Sequence, residues 1–362
     1  MSASRSEPVR VVTILEAPAV RSQAVYHAVG ESLSESGPDT ILLVRPAQPY
    51  VCIGFHQDAA TELDLGACKQ LGLPVIRREV GGGAVYLDSN QLFVQWVFRP
   101  SRLPRTLFDR YRLYVEPLVD TYRSLGVQAE YRPINDIHVS GRKIGGTGAA
   151  RLGGSEVVVG SIMADFDHYT MSRVLNIASE KMRDKVATAM GEYVTSLHRE
   201  LGEVIDLEQV TTSYLAHAAQ SLGRALEPGE LTAEETAALD GVERRLSSDA
   251  WTYRHTRRAG SAVKIHEDIT VREGVHKAAA GLVQIVVVIQ AGVILDAQVF
   301  GDFTLIPQGA LPAIEEALKG IRADPEVASS VVRDLYAKMN LDAPGLEPED
   351  FGAALTAALG KS

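Results

Sequence analysis

The chain has 362 residues, which is long for a single domain and favours two. Hydrophobic residues make up 46% of it and charged residues 23%, a balance that excludes a disordered, collagen-like or disulfide-stapled protein. The 46 acidic residues outnumber the 36 lysines and arginines, and the resulting net charge of −10 disfavours a surface that coats nucleic acid or an anionic membrane. Any anionic ligand must therefore meet a local cluster of positive charge.

The cysteines and the hydropathy pattern predict a cytoplasmic protein. Cys52 and Cys68 are too few for a disulfide framework and show no zinc-binding spacing. The first residues lack the apolar segment of a signal peptide, and the most apolar stretch, residues 282–295, is too short to span a bilayer. We expect a cytoplasmic monomer that binds neither nucleic acid nor membranes.

Strand and helix patterns alternate through the first part of the chain. Strands are predicted, in chain order, at residues 9–17, 41–44, 50–54, 73–78, 84–86, 91–98, 136–139 and 157–163. Helices are predicted at residues 19–34, 63–71 and 111–125 and through most of residues 168–223. The strands at 84–86 and 91–98 read as a hairpin, and a glycine-rich segment, residues 141–154, separates the last two strands.

A polar stretch, residues 225–249, interrupts this pattern and reads as a helical connector and a natural hinge. Beyond it come strands near residues 261–267, 282–290 and 293–300 and helices at 309–320, 325–339 and 349–359. Strands followed by helices in one block suggest a small α+β domain. We therefore predict two domains, residues 1–245 and 246–362, of the α/β (α+β) class.

Residues 77–86 place two arginines next to three consecutive glycines. Gly81, Gly82 and Gly83 are costly in a regular element but allow the main chain to approach a ligand and offer it N–H groups. Arg77 and Arg78 supply forked cationic donors suited to carboxylate or phosphate. A glycine turn at a strand end remains the plainer interpretation of this stretch taken alone.

Residues 135–148 hold a lysine among glycines, without the order of a P-loop or a dinucleotide-binding fingerprint. Between residues 131 and 152 there are four cationic side chains and one acidic one, Asp136, which gives a local charge of +3. This is the positive cluster that the composition requires. The cationic residues are Arg132, Arg142, Lys143 and Arg151.

Together the two stretches resemble the catalytic domain of lipoate–protein ligases in the biotin/lipoate ligase superfamily. The matching residues are Arg77, Arg78, Gly81, Gly82, Gly83, Ala84, Val85, Tyr86, Asp88, Asn135, Asp136, Gly141, Arg142 and Lys143. The resemblance implies a mixed β-sheet flanked by helices. Residues 276–303 also resemble the family's small C-terminal accessory domain, which would help adenylation or close over the site.

Three positions depart from the family pattern. Val80 stands where Ser or Thr is usual, Leu87 where His is usual, and Val159 where His often precedes the glycine. Each change removes a polar group, so we expect an acyl pocket that is more apolar or differently shaped. The departures bear on the choice of acyl substrate more than on the reaction.

The resemblance implies an ATP-dependent ligase that activates lipoate or octanoate as acyl-AMP and transfers it to a lysine of an acceptor protein. Lys143 is the expected catalytic residue, and Asp136 the expected Mg²⁺ ligand, aided by Asn135. The acceptor would be a lipoyl domain, a glycine-cleavage carrier or a lipoate-binding protein. The remaining substrate- or adenylate-binding candidates are Arg77, Arg78, Gly81, Gly82, Gly83, Ala84, Tyr86, Gly145, Gly146 and Thr147.

Two alternatives stay open at this point. An ATP-independent octanoyl or lipoyl transferase of the same fold needs a nucleophilic cysteine, whereas both cysteines here precede the glycine loop. A protein that only binds acyl-bearing partners would fit the absence of the usual Ser or Thr at Val80 and of the usual His at Leu87.

Overall fold

The computed structural model describes residues 7–177, 179–255 and 269–360. Its strands are β1 (Val9–Ala17), β2 (Thr40–Pro46), β3 (Tyr50–Ile53), β4 (Val75–Arg77), β5 (Val85–Leu87), β6 (Gln91–Phe98), β7 (Ala129–Arg132), β8 (Asp136–Val139), β9 (Arg142–Leu152), β10 (Ser155–Met163), β11 (Leu226–Pro228), β12 (Ile269–Ala278), β13 (Gly281–Gln290) and β14 (Val293–Gly301).

Helices alternate with these strands along the chain. They are α1 (Ala19–Ser32), α2 (Ala59–Glu62), α3 (Leu65–Gln70), α4 (Leu107–Ser124), α5 (His168–Val174), α6 (Glu180–Tyr193), α7 (Leu197–Leu201), α8 (Leu207–Leu222), α9 (Ala233–Leu246), α10 (Asp249–Thr252), α11 (Leu311–Ala317), α12 (Pro325–Met339) and α13 (Pro348–Leu359). No helix in the described part of the chain has the length and hydropathy needed to cross a bilayer.

An eight-stranded mixed sheet in the order β11-β1-β2-β6-β10-β9-β8-β7 forms the framework. Strand β1 runs parallel to both of its neighbours, and the other pairs are antiparallel. Alternate side chains of β6 reach opposite faces of this sheet. On one face Gln95 donates to the Ser22 carbonyl of α1 at 2.8 Å, and on the other Trp96 donates to the Tyr214 hydroxyl of α8 at 2.7 Å.

Two smaller sheets complete the fold. Strands β4-β3-β5 form one, and the antiparallel meander β12-β13-β14 forms the other. Residues of β13 and β14 and of helices α11 to α13 share a closed hydrophobic core, in which Ile285, Phe303 and Phe351 are fully buried.

The contacts divide the described chain into two units. The N-terminal unit comprises the described residues up to Ile53, then Ala60–Arg78 and Ala84–Thr252. The C-terminal unit comprises Gly54–Ala59, Glu79–Gly83 and the described residues from Tyr253 onward. The predicted division after residue 245 stays a prediction, although contacts within the N-terminal unit continue to Thr252.

Several sequence expectations fail for physical reasons. The predicted hairpin of residues 84–98 is wrong, because β5 pairs with β3 while β6 pairs with β2 and β10. The glycine-rich segment is itself largely strand β9, which pairs with β8 over its first half and with β10 over its second half. The connector is not a loose link, since β11 joins the large sheet and α9 packs on α1. The strand predicted at residues 261–267 lies outside the described residues.

Candidate active site

Lys143 and Asp136 form an ion pair on the large sheet. The Lys143 Nζ atom lies 2.7 Å from Asp136 Oδ1, and the two side chains are about one-third and one-quarter exposed. Asp136 of β8 pairs with Gly146 of β9, and Lys143 of β9 pairs with His138 of β8, so the ion pair spans these two strands. A Cβ at Gly146 would lie 3.0 Å from Lys143 Nζ, so glycine at this position leaves room for the lysine to lie across its own strand.

Asn135 fastens the start of β8 to β9. Its amide nitrogen donates to the Thr147 carbonyl at 2.6 Å, while the Thr147 N–H and hydroxyl donate to the Asn135 carbonyl at 2.9 and 3.1 Å. Gly145 pairs with Ile137, and a Cβ there would approach the Ser161 carbonyl at 3.5 Å. Asn135, Gly145, Gly146 and Thr147 therefore gather beside Lys143 and Asp136, and their binding roles stay predictions.

Arg77 and Arg78 differ in their hydrogen-bonding partners. Arg77 is fully buried and donates to the Thr252 carbonyl through Nε at 3.0 Å and Nη2 at 2.7 Å. Its own carbonyl accepts from the Trp251 indole at 2.9 Å. Arg78 is 9% exposed, and its Nη1 lies 3.3 Å from the Cys52 carbonyl. Arg77 thus has a clear structural role, and the predicted ligand-binding role of both residues stays untested.

Tyr86 and Ala84 lie on and beside β5, in the N-terminal unit. Burial, with the charges of Asp88 and Asp167 nearby, raises the pKa of Tyr86 to about 12. Its phenol therefore stays neutral at physiological pH and offers a mostly apolar ring. This chemistry suits the predicted contact with an acyl chain.

The three consecutive glycines belong by their contacts to the C-terminal unit. A Cβ at Gly81 would lie 2.4 Å from the Phe303 carbonyl oxygen and 2.7 Å from the Thr304 hydroxyl. Gly82 has a φ of +95°, which favours glycine, and its carbonyl passes within 1.8 Å of a Cβ built at Gly54. Close packing therefore accounts for glycine at Gly81 and Gly54, and the positive φ accounts for glycine at Gly82. The phosphate-binding role of Gly81, Gly82 and Gly83 stays a prediction.

The local charge of +3 does not become one cluster of unpaired positive groups. Arg142 contacts Glu200 at 2.8 Å, and Arg151, near the opposite end of β9, donates to Glu156 at 2.8 Å. Both glutamates lie beyond the sequence window in which the charges were counted. Lys143 itself is paired with Asp136, so a bound anion must compete for it.

Three residues that the sequence did not single out also surround the lysine. Val194 forms a parallel bridge to Lys143, Thr195 donates to the Lys143 carbonyl at 2.9 Å, and Glu200 binds Arg142. They are more than fifty residues along the chain from Lys143, and no local pattern links them to it.

The residues present fit a Mg²⁺ ion held mainly by a bound nucleotide. Asp136 offers one carboxylate, and the Asn135 amide oxygen is a further oxygen donor beside it. In the described ranges, no group of three or more His, Cys, Asp or Glu side chains could hold a metal. Mg²⁺ commonly takes one or two carboxylates together with phosphates and water, and this chain would supply the carboxylate of Asp136.

Both cysteines are buried in the N-terminal unit. Cys52 lies in β3 and is inaccessible, and Cys68 lies in α3 and is 2% exposed. Burial raises the pKa of both thiols, with Asp64 adding to the effect at Cys68. Neither thiol is therefore activated as a nucleophile.

Two of the three departures from the family pattern are buried side chains. Val80 is 1% exposed and Leu87 is 9% exposed. Val159 is partly exposed on β10, directly opposite Gln95 of β6 and Gly148 of β9. The removal of polar groups at these positions is consistent with the predicted change in the acyl pocket, which stays a prediction.

Comparison with known proteins identifies the family. Residues 19–219 match the lipoyl protein ligase A/B catalytic domain, and residues 272–355 match the bacterial lipoate protein ligase C-terminus. Octanoyltransferase LipM of Kyrpidia tusciae is 30% identical over 64% of this chain and 90% of its own length. Lipoate-protein ligase LplJ of Bacillus subtilis is 26% identical over 83% of this chain and 85% of its own length.

Solved structures confirm the fold. A bipartite lipoate protein ligase of Thermoplasma acidophilum, solved as part of a lipoylation system with its E2 lipoyl domain, has a TM-score of 0.63 and 24% identity, covering 70% of this chain and all of its own. LipL1 of Plasmodium falciparum in complex with lipoate has a TM-score of 0.68 and 14% identity, covering 90% and 94%. The predicted mixed sheet with a small C-terminal domain is confirmed. The chain belongs to the lipoyl protein ligase A/B family of enzymes, whose relatives here include both lipoate–protein ligases and octanoyltransferases.

Proposed function

We propose that this protein is an ATP-dependent lipoate–protein ligase that activates lipoate or octanoate as an acyl-adenylate. The observation that carries the proposal is the partly exposed ion pair of Lys143 and Asp136, which joins a point charge for oxyanions to a carboxylate suited to Mg²⁺. Two similarities support it. Residues 272–355 match the lipoate protein ligase C-terminus, and the similarity to the ligase LplJ covers more of this chain, 83%, than the similarity to the octanoyltransferase LipM of Kyrpidia tusciae, 64%.

A carboxylic acid and an amine form a salt at neutral pH, so the acid must first be activated. In the proposed first step a carboxylate oxygen of the acid attacks the α-phosphorus of ATP, the bond to the β-phosphate oxygen breaks, and pyrophosphate leaves. Negative charge builds up on the phosphoryl oxygens, where the Lys143 ammonium would stabilise it. Mg²⁺, when bound, would neutralise phosphate charge near Asp136.

In the second step the amine of an acceptor lysine attacks the acyl carbonyl, and AMP leaves as the amide forms. Lys143 would again stabilise the charge that develops on the carbonyl and phosphate oxygens. Tyr86 and its apolar neighbours would hold the acyl chain. A lipoyl domain, a glycine-cleavage carrier or a lipoate-binding protein is the proposed acceptor, and a cytoplasmic, monomeric state stays part of the proposal.

The second candidate is an ATP-independent octanoyltransferase, which the LipM relatives favour. That chemistry would carry the acyl group on a cysteine thiolate. Cys52 and Cys68 are the only cysteines of the sequence, and burial raises the pKa of both. These two observations support the ligase over this form of transferase.

One assay separates the candidates. The purified protein is incubated with acceptor domains and either free octanoate or lipoate with ATP and Mg²⁺, or an octanoylated carrier protein without ATP, and acceptor mass is recorded. A ligase modifies the acceptor from free acid only when ATP is present and releases pyrophosphate. Undiminished transfer without ATP would decide for the transferase, and no modification in either arm would favour a protein that only binds acylated partners.

A further inference from the structure

The main chain of Lys143 is held by a segment far along the sequence. Pairing between β9 and β10 ends at Thr147, so β10 does not pair with this end of β9. Val194 forms a parallel bridge to Lys143 there, and the Thr195 N–H donates to the Lys143 carbonyl at 2.9 Å. On the other side Lys143 pairs with His138 of β8. The lysine is therefore fixed between two backbone neighbours.

Glu200, on the short helix α7, contacts residues on both segments of this link, Arg142 and Thr195. Its carboxylate accepts from Arg142 Nη2 at 2.8 and 3.0 Å and also accepts from the Thr195 hydroxyl. Arg142 precedes Lys143 in the chain, and Thr195 is the residue whose N–H binds the Lys143 carbonyl. The Glu200 carboxylate thus connects Arg142, which precedes Lys143, with Thr195, which binds the Lys143 carbonyl.

The surrounding contacts make this a defined site. The Glu200 side chain is 14% exposed and the Arg142 side chain 34%. Arg199 donates to the Val194 carbonyl at 3.0 Å, and Ser196 caps α7 through the Arg199 N–H at 3.3 Å. Hydrogen bonds between charged partners are stronger than neutral ones, so Glu200 adds a side-chain link to the backbone contacts between β9 and this segment.

We infer that Glu200 is a positioning residue for Lys143, an inference that rests on the proposed role of that lysine. A lysine side chain is long and flexible, and its ammonium can meet a reacting oxygen reproducibly only if its main chain is anchored. Glu200 supplies that anchor through its contacts with Arg142 and Thr195. Loss of the carboxylate lets the start of β9 shift relative to the groups that bind ATP and the acid.

The kinetic test compares Glu200→Ala, Thr195→Val and Thr195→Ser with the wild-type protein in pyrophosphate release. We expect Glu200→Ala to lower kcat for adenylate formation about tenfold or more and to change KM for ATP and acid by less than about threefold. Thr195→Val should lower kcat in the same sense, and Thr195→Ser, which keeps the hydroxyl, should restore most of it. In a Lys143→Ala background, Glu200→Ala should cause little further loss.

The chain offers a matched control at the opposite end of β9. Glu156 is 1% exposed and binds Arg151 and Arg110 as Glu200 binds Arg142. Glu156→Ala should lower stability without changing kcat. An equal kcat loss in Glu156→Ala would show that Glu200 acts only through stability. A full additional loss from Glu200→Ala in the Lys143→Ala background would show that it acts independently of Lys143, and either result would overturn the inference.

Amide hydrogen exchange tests the contact without relying on any reaction. Glu200→Ala should speed exchange at Thr195, whose N–H binds Lys143, whereas Glu156→Ala should leave it unchanged. Unaltered exchange at Thr195 in Glu200→Ala would overturn the inference. If the wild-type protein releases no pyrophosphate, the proposed function fails while exchange still decides whether Glu200 holds the Lys143 segment.

Discussion

The ammonium of Lys143 must change partners if it is to stabilise a phosphoryl group. In the described structure it contacts Asp136, and both side chains are accessible to solvent. An ion pair of this exposure is worth little, so a polyanion can displace Asp136 at small cost. The released carboxylate would then be able to bind the proposed Mg²⁺. The ion pair therefore holds both side chains in place while each can still exchange its partner for a ligand.

Replacement of Lys143 tests this role directly. We expect Lys143→Ala to lower the rate of adenylate formation and of acyl transfer by roughly 10²-fold or more, the effect of losing one preorganised donor at a developing charge. Lys338→Ala, on exposed α12 surface, is the matched control and should retain full activity. Pyrophosphate release and acceptor mass measure the two steps. A Lys143→Ala protein with near-wild-type rates would contradict the assignment.

The cysteines give a second prediction at the residue scale. Because burial raises the pKa of both thiols, few thiolates form at neutral pH, and we expect both to resist alkylation in the folded protein. The double variant Cys52→Ala and Cys68→Ala should keep its ligation rate within about threefold of the wild type. Iodoacetamide labelling by mass and the ATP-dependent assay check these points. A complete loss of transfer in a double variant that remains folded would instead indicate a thiol intermediate.

At the scale of elements, an ion pair ties the connector helix α9 to α1. Arg245 of α9 donates to Glu31 of α1 at 2.7 Å and lies 3.1 Å from Nδ1 of buried His27. His27 first, and then Arg245, lower the pKa of Glu31 to about 2. Together with the pairing of β11 and β1, this contact makes the connector part of the N-terminal unit.

The lowered pKa of Glu31 predicts a pH dependence of stability. A carboxyl group whose pKa falls on folding stabilises the protein above its unfolded value of 4.5, and this contribution is lost as the pH falls toward about 2. Glu31→Gln should therefore reduce the free energy of unfolding at pH 7, and the difference should shrink between about pH 5 and pH 2. Urea unfolding across this range measures it, with exposed Glu203→Gln as the control. A difference that stays constant with pH would contradict the assignment.

Local sequence pattern predicted the elements whose signals are local. The helix at 325–339 and the strand at 9–17 are confirmed to the residue, the helix from its apolar period and the strand from its run of apolar and β-branched residues. Strand β9 was missed because its glycines and alanines disfavour a strand by themselves, and only the ladders from β8 and β10 stabilise it. The pairing partner of β5 was missed because a short turn favours the nearest strand along the chain, whereas β3 is its neighbour in space.

The candidate site likewise has a part that local sequence predicted and a part that depends on contacts between distant segments. The motif around Lys143 and Asp136 could be read from the sequence because its residues lie close together in the chain and match the family pattern. Glu200 could not, because its link to Arg142 depends on how α6 and α7 return to the sheet. The distribution of charge was misjudged for the same reason, since Glu200 and Glu156 neutralise arginines from outside the counted segment.

At the scale of the whole molecule, the contacts bear on the residue at which the N-terminal unit ends. The predicted domain boundary at residues 245 and 246 would remove α10, whereas the contacts keep α10 with the N-terminal unit. Arg77 is fully buried and donates to the Thr252 carbonyl, and Trp251 donates to the Arg77 carbonyl at 2.9 Å. A chain that stops at residue 245 removes the Thr252 carbonyl and the Trp251 indole, two of the hydrogen-bonding partners of Arg77.

We therefore expect a chain of residues 1–252 to be more stable than a chain of residues 1–245. The difference should be about 2 kcal/mol or more, because a buried charged donor and a carbonyl lose their hydrogen bonds together. Both chains lack the rest of the C-terminal unit equally, so urea unfolding of the two isolates the contribution of α10. Arg77→Ala in the longer chain should remove most of the advantage, since it deletes the donor to Thr252. Equal unfolding midpoints would instead place the end of the N-terminal unit at residue 245.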